Sequence, residues 1–152
     1  MTQKIPWEEF KKLVGSEIGV TEWIPITQDR INAFAECTED RQWIHTDEAK
    51  AKLGPFGTTI THSFLLLSLL PHFSMLNPVF PAGLKMMVNY GLNRVRFMNT
   101  VPVGSKIRNR AVLKDIMEKP SGGYLLTLEN TIEIEGQDKP AMVAELLALI
   151  FI

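Results

Sequence analysis

The apolar positions change period halfway along the chain. In the first half they recur at helical spacing: Ile31, Phe34 and Ala35 share one face of "TQDRINAFAECTED". Thr27 suits the N-cap there, and Gln28 and Asp29 set polar or negative groups beside the positive end of the helix dipole. A shorter helix is expected from Pro6 to Leu13, with proline in its first turn and Gly15 ending it. "EIGVTEWIPIT" alternates and reads as extended. Thr38 to Trp43 leaves the second helix, and Thr46 or Asp47 caps another short one, "DEAKAKLG", closed by Gly54. The glycine- and proline-bearing loop "GPFGTTI" then leads into "THSFLLLSLLPHF", apolar on nearly every side, which is the pattern of a buried helix.

From Gly83 onward the period is two. "GLKMMVNYGLNRVRF", "GSKIRNRAVLKDIMEK", "GYLLTLENTIEIEG" and "KPAMVAELLALIFI" read as four strands, separated by "NTVPVG", "PSGG" and "GQDK". Alternation is clearest in Lys106-Ile107-Arg108 and in Thr131 to Glu135, so the sheet has one wet face. Helices first and an antiparallel sheet after them make an α+β layer architecture, the sheet wrapped around the apolar helix. No repeat or low-complexity linker divides the chain, so residues 1–152 are expected to form one domain.

Composition narrows the function classes. A net charge of −1 argues against a nucleic-acid surface, which needs a basic excess. The longest apolar runs, "SFLLLSLL" and "AELLALIFI", fall short of the ~20 residues of a membrane span. With a charged N-terminus that lacks a secretory apolar core, a cytoplasmic protein is the expectation. Cys37 is the only cysteine, so no intrachain disulfide forms; it reads as a small packing residue late in a helix. No Cys/His group has metal-ligand spacing, and no glycine-rich dinucleotide fingerprint occurs, so neither a metal nor a bound cofactor is expected.

The candidate chemistry lies in "TEDRQWIHTD". A histidine near neutral pKa can exchange protons at cellular pH, and a carboxylate beside it can share or orient that proton. Asp40 and His45 would occupy different faces of one continuous helix, but across a helix-exit loop both can turn toward one point. Spacing alone is weak evidence, since Asp followed within five residues by His is common in solvated turns. The start of the apolar helix adds a second element: backbone N–H groups near His62 and Ser63 lack intrahelical acceptors and can stabilise a developing oxyanion. Plainer roles suit the neighbours. His62 reads as a structural or capping hydrogen-bond partner rather than a second base, with positioning of substrate or water as a further role open to it. Asp47 reads as a cap, and Gln42 either as a pocket residue fixing water or substrate or as a loop amide. His72 reads as a helix-end residue, and Met75, Met86, Met87 and Phe80 as packing or the lining of an acyl tunnel. The arginines of "RVRF" and "KIRNR" suit a strand's wet face better than phosphate contacts.

The run from Asp29 to Pro71, "DRINAFAECTEDRQWIHTDEAKAKLGPFGTTITHSFLLLSLLP", resembles the motif of MaoC-like, (R)-specific enoyl-CoA hydratases, and "QWIH" with "LLLSLLP" is similar to the nodulation-protein-N-like branch. "NYGLNRVRFMNTVPVGSKIR" is similar to the branch's later strand pair. The resemblance implies a hotdog fold, a homodimer joined through sheet edges, and hydration of a trans-2-enoyl thioester to an (R)-3-hydroxyacyl product. Coenzyme A would enter only as part of the substrate. It implies that Asp40 and His45 hold one water between them and that the backbone N–H of Ser63 is the oxyanion donor. Two departures stand out: Gln42-Trp43 replaces the usual Asn-Pro, and Ser63 the usual glycine, whose absent Cβ leaves more room for the thioester. A hotdog thioesterase using Asp40 alone, or a non-catalytic acyl-thioester binder, are the alternative functions.

Overall fold

In the computed structural model, which describes residues 3–152, the four long strands form where the two-residue period expects them. They are β5 (Met86–Phe97), β6 (Lys106–Glu118), β7 (Tyr124–Ile134) and β8 (Met142–Phe151). Two short strands, β2 (Glu17–Val20) and β3 (Ile24–Pro25), both pair with β6, giving an antiparallel six-stranded sheet in the order β2-β6-β7-β8-β5. β1 (Gln3–Ile5) and β4 (Val79–Pro81) make a separate parallel pair that the sequence pattern did not reveal. Three residues are too few to display a period.

The alternation sorts each strand into an inner and an outer face. Leu126, Leu128, Ile132 and Ile134 of β7 are buried, as are Ile107, Ala111 and Leu113 of β6. Glu133, between them on the outer face, receives hydrogen bonds from Arg108 Nε at 2.6 Å and Arg110 Nε at 2.8 Å, and Arg110 also reaches Glu17. Burial alone would raise the Glu133 carboxyl, but the two guanidinium groups hold it below its usual value. These "KIRNR" charges are therefore satisfied within the sheet's wet face. One polar pair points inward: Asn109 Nδ2 donates to Asn130 Oδ1 at 2.8 Å, both side chains buried.

The helices form as their caps direct. α1 (Trp7–Lys11) follows Pro6, and α2 (Gln28–Thr38) is capped by Thr27, whose hydroxyl accepts from the Arg30 N–H. Asp47, not Thr46, caps α4 (Glu48–Lys52), accepting from the Lys50 N–H. Between them the chain makes an extra single turn, α3 (Trp43–Thr46). Cys37 is exposed, contrary to the packing role expected of it. The buried face of α2 is set by Ile31 and Ala35, and position 37 lies two residues round from it.

The apolar helix is α5 (Ser63–Ser68) continued by α6 (Leu70–Leu76), joined through a helical Leu69 at the turn that contains Pro71. Leu65, Leu66, Leu70 and Phe73 are buried against the concave face of the sheet. The helix is not covered on every side, however: Phe64 and Met75 are 67% and 65% exposed. The sheet wraps one flank; on the other, Phe64 meets Phe97 of β5 edge to face, and Met75 lies near Phe80 and Leu84. His72 sits inside α6 and is exposed, not at a helix end. Of the methionines read as packing, Met75 and Met86 are exposed, while Met87 packs against the core.

Candidate active site

Asp40 follows a forced stop. α2 ends in Glu39, whose left-handed backbone (φ 62°) turns the chain out of the helix. The one-turn α3 then brings His45 inward, where it is 6% exposed. Asp40 and His45, five residues apart, thereby face one pocket of about 240 Å³, walled also by Ile44, Thr61, His62, Ser63, Phe64 and Asn99. The loop geometry expected for the acid–base pair is present.

Hydrogen bonding fixes the form of each ring. His45 Nδ1 lies 2.7 Å from the Ile60 carbonyl. A carbonyl only accepts, so Nδ1 carries the hydrogen and Nε2 keeps a lone pair. Burial pushes the His45 pKa below its ordinary value; His62 lowers it further, while the Ile60 bond and Asp40 oppose the shift. His45 is thus a neutral base at neutral pH. His62 Nε2 lies 2.9 Å from the backbone carbonyl of Asp40 and by the same logic is the donor.

His62 also stacks on His45, centroids 3.8 Å apart and planes 24° from parallel, and packs against Phe34. One side chain therefore holds the backbone of the acid and the ring of the base. This agrees with the structural role read from sequence, although no side-chain cap bond to α5 is made. Gln42 Nε2 reaches Asp40 Oδ1 at 3.3 Å, so its amide serves the carboxylate.

One carboxylate oxygen of Asp40 and one ring nitrogen from each histidine lie within 4.8 Å of one another. A water hydrogen-bonded to two such groups needs them about 4.5 Å apart, two bonds of ~2.8 Å meeting near the tetrahedral angle. The same three residues form a donor set that sequence spacing did not reveal, but they fit a metal ion poorly. An imidazole binds metal in its own plane, and two planes so nearly parallel at that separation meet far beyond a ligand bond.

The pocket floor is the loop entering α5. Ser63 is the first helical residue, so its N–H has no acceptor within the helix. Its side chain is exposed at the pocket wall. The loop is pinned from outside by Thr61 N–H to Val101 O (2.8 Å) and Val103 N–H to Thr59 O (2.9 Å), the "VPVG" turn holding the site.

Comparison with known proteins places the chain in a family. Residues 9–129 match the model of the MaoC like domain. The chain is 45% identical over 132 residues to 3-hydroxyacyl-thioester dehydratase Z of Mycobacterium tuberculosis, covering 86% of each chain. It is 40% identical over 149 residues to Nodulation protein N of Rhizobium meliloti, covering 96% of this chain and 91% of that one. The unliganded R-hydratase PhaJ1 of Pseudomonas aeruginosa superposes with a TM-score of 0.76 at 19% identity, over 99% of this chain and 88% of that one. The pairing of a curled antiparallel sheet with an apolar helix is the hotdog fold, and the chain belongs to the MaoC-like family of hydratases and dehydratases.

Proposed function

We propose that the protein is an (R)-specific enoyl-CoA hydratase, equally able to dehydrate a 3-hydroxyacyl thioester through the same site. The observation that carries this reading is the separation of the Asp40 carboxylate from the His45 ring, which suits one water held between them. His45 Nε2 accepts a proton from that water while Asp40 accepts its other hydrogen and orients it. The water oxygen bonds to C3, the π electrons of C2=C3 move toward the thioester carbonyl, and C2 receives the proton. The Ser63 N–H, at the positive end of α5, meets the oxyanion that builds on that carbonyl. Coenzyme A takes part as the carrier, and no other cofactor is required.

A separate apolar groove between the helix and β5, lined by Leu67, Ser68, Pro71, Leu92 and Leu146, suits an acyl chain. The free edge of β5 supports a homodimer. It is twelve residues long and exposes Met86, Val88, Tyr90, Leu92 and Phe97, whereas the opposite edge of the sheet is closed by the short β2 and β3. Light scattering should give twice the chain mass of 17.2 kDa. A monomer at tens of micromolar would end the dimer reading.

The test follows purified protein with crotonyl-CoA at the enoyl absorbance, with free thiol assayed in the same sample. Loss of absorbance without thiol release is expected. Thiol release would assign a thioesterase instead, and silence in both channels, with longer enoyl chains included, would leave an acyl-thioester binder. Ser63→Gly should keep or raise the turnover, since the backbone donor stays and the Cβ beside the thioester goes. Complete loss would show that the hydroxyl itself takes part.

A further inference from the structure

Gln28 does not line the pocket, yet its carboxamide meets the catalytic histidine's backbone. Nε2 donates to the His45 carbonyl at 2.7 Å and to Asn32 Oδ1 at 2.9 Å, while Oε1 accepts from the Thr59 hydroxyl at 2.5 Å. The amide's orientation is determined by its surroundings. Turned over, it would set an acceptor against the His45 carbonyl, which can only accept.

The importance of these bonds follows from the weakness of α3. A single turn of four residues cannot hold itself, since helix nucleation costs more than its one or two bonds return. It is held by its neighbours. The Ile60 N–H donates to the Ile44 carbonyl at 3.0 Å, and His45 Nδ1–H donates to the Ile60 carbonyl. Gln28 adds a further link, tying the His45 carbonyl on one side to Thr59, the residue before Ile60, on the other.

We propose that Gln28 is a positioning residue that sets the placement of His45 Nε2 against Asp40, by clamping α3 and the Thr59–Ile60 segment onto the first turn of α2. Its kinetic consequence rests on the hydratase reading; its structural consequence does not. Gln28→Glu keeps an acceptor for Thr59 but cannot donate to the His45 carbonyl. The carboxylate sets an acceptor against the His45 carbonyl, which loosens α3 locally, while a negative group in the first turn of α2 offsets part of that cost. Gln28→Leu removes both arms and serves as the second variant should the first fail to fold.

The experiment has two readouts on the full chain. In ¹⁵N-labelled protein without substrate, the His45 Nδ1–H resonance should exchange with solvent at least about tenfold faster in each variant, because the bond to Ile60 opens more often. With crotonyl-CoA, kcat should fall roughly 10- to 100-fold with KM little changed, the scale of a misplaced catalytic group. A folded variant whose His45 proton and kcat both match the natural protein would overturn the proposal. If no enoyl thioester is hydrated by the natural protein, the hydratase reading fails, and the exchange measurement alone decides whether Gln28 positions His45.

Discussion

Asp40→Asn is expected to lower hydration turnover by roughly two to four orders of magnitude, the usual contribution of a positioned acid or base. The substitution is close to isosteric, and the structure gives reasons for the fold to survive it. His62 binds the backbone carbonyl of residue 40, which the change leaves untouched. Gln42 can still donate to the oxygen of an asparagine amide in place of Oδ1. What disappears is the negative charge that favours a positive His45 and that, in the proposed mechanism, orients the water. Loss of kcat with unchanged circular dichroism and melting temperature would assign the carboxylate to chemistry. A folded Asp40→Asn protein with full turnover would refute the site.

The elements legible from sequence were those that repeat a period long enough to be seen. Strands β5 to β8 run for ten or more residues with turn chemistry between them, and each lies where alternation places it. β1 and β4 are three residues long, and α3 is one turn, so neither offers a pattern. Periodicity also says which residues share a face but not whether that face finds a cover. The all-round apolar pattern predicts a buried helix, whereas Phe64 and Met75 remain exposed.

The site divides the same way. Asp40 and His45 were visible as residue types near a helix exit, and Ser63 as the first position of a helix. The bonds that make them a site join segments distant in sequence. Ile60 fixes the His45 tautomer from fifteen residues away, and His62 reaches the Asp40 carbonyl across twenty-two. Gln28 reads in sequence only as a polar first-turn residue, since nothing local marks the partner its amide meets at His45.

His45→Gln is expected to cost turnover on the same scale, roughly 10²- to 10⁴-fold, for a complementary reason. A glutamine amide can donate to the Ile60 carbonyl as Nδ1–H does, but it offers no basic nitrogen to take the water's proton. The same substitution carries a signature in pH that a merely structural residue would not. Burial holds the folded pKa of His45 below its ordinary value of 6.5. Between that lowered value and 6.5 the unfolded chain binds more protons than the native one, so stability is full above 6.5 and is lost as pH falls through this window. The denaturation midpoint of the natural protein should therefore drop on acidification by an amount that His45→Gln lacks. Activity follows the same group. The acid limb of kcat/KM should lie below 6.5, because His45 stays neutral and basic until its depressed pKa is reached. An acid limb above 6.5, or an acid sensitivity of stability identical in the variant, would show that the titrating base is another residue.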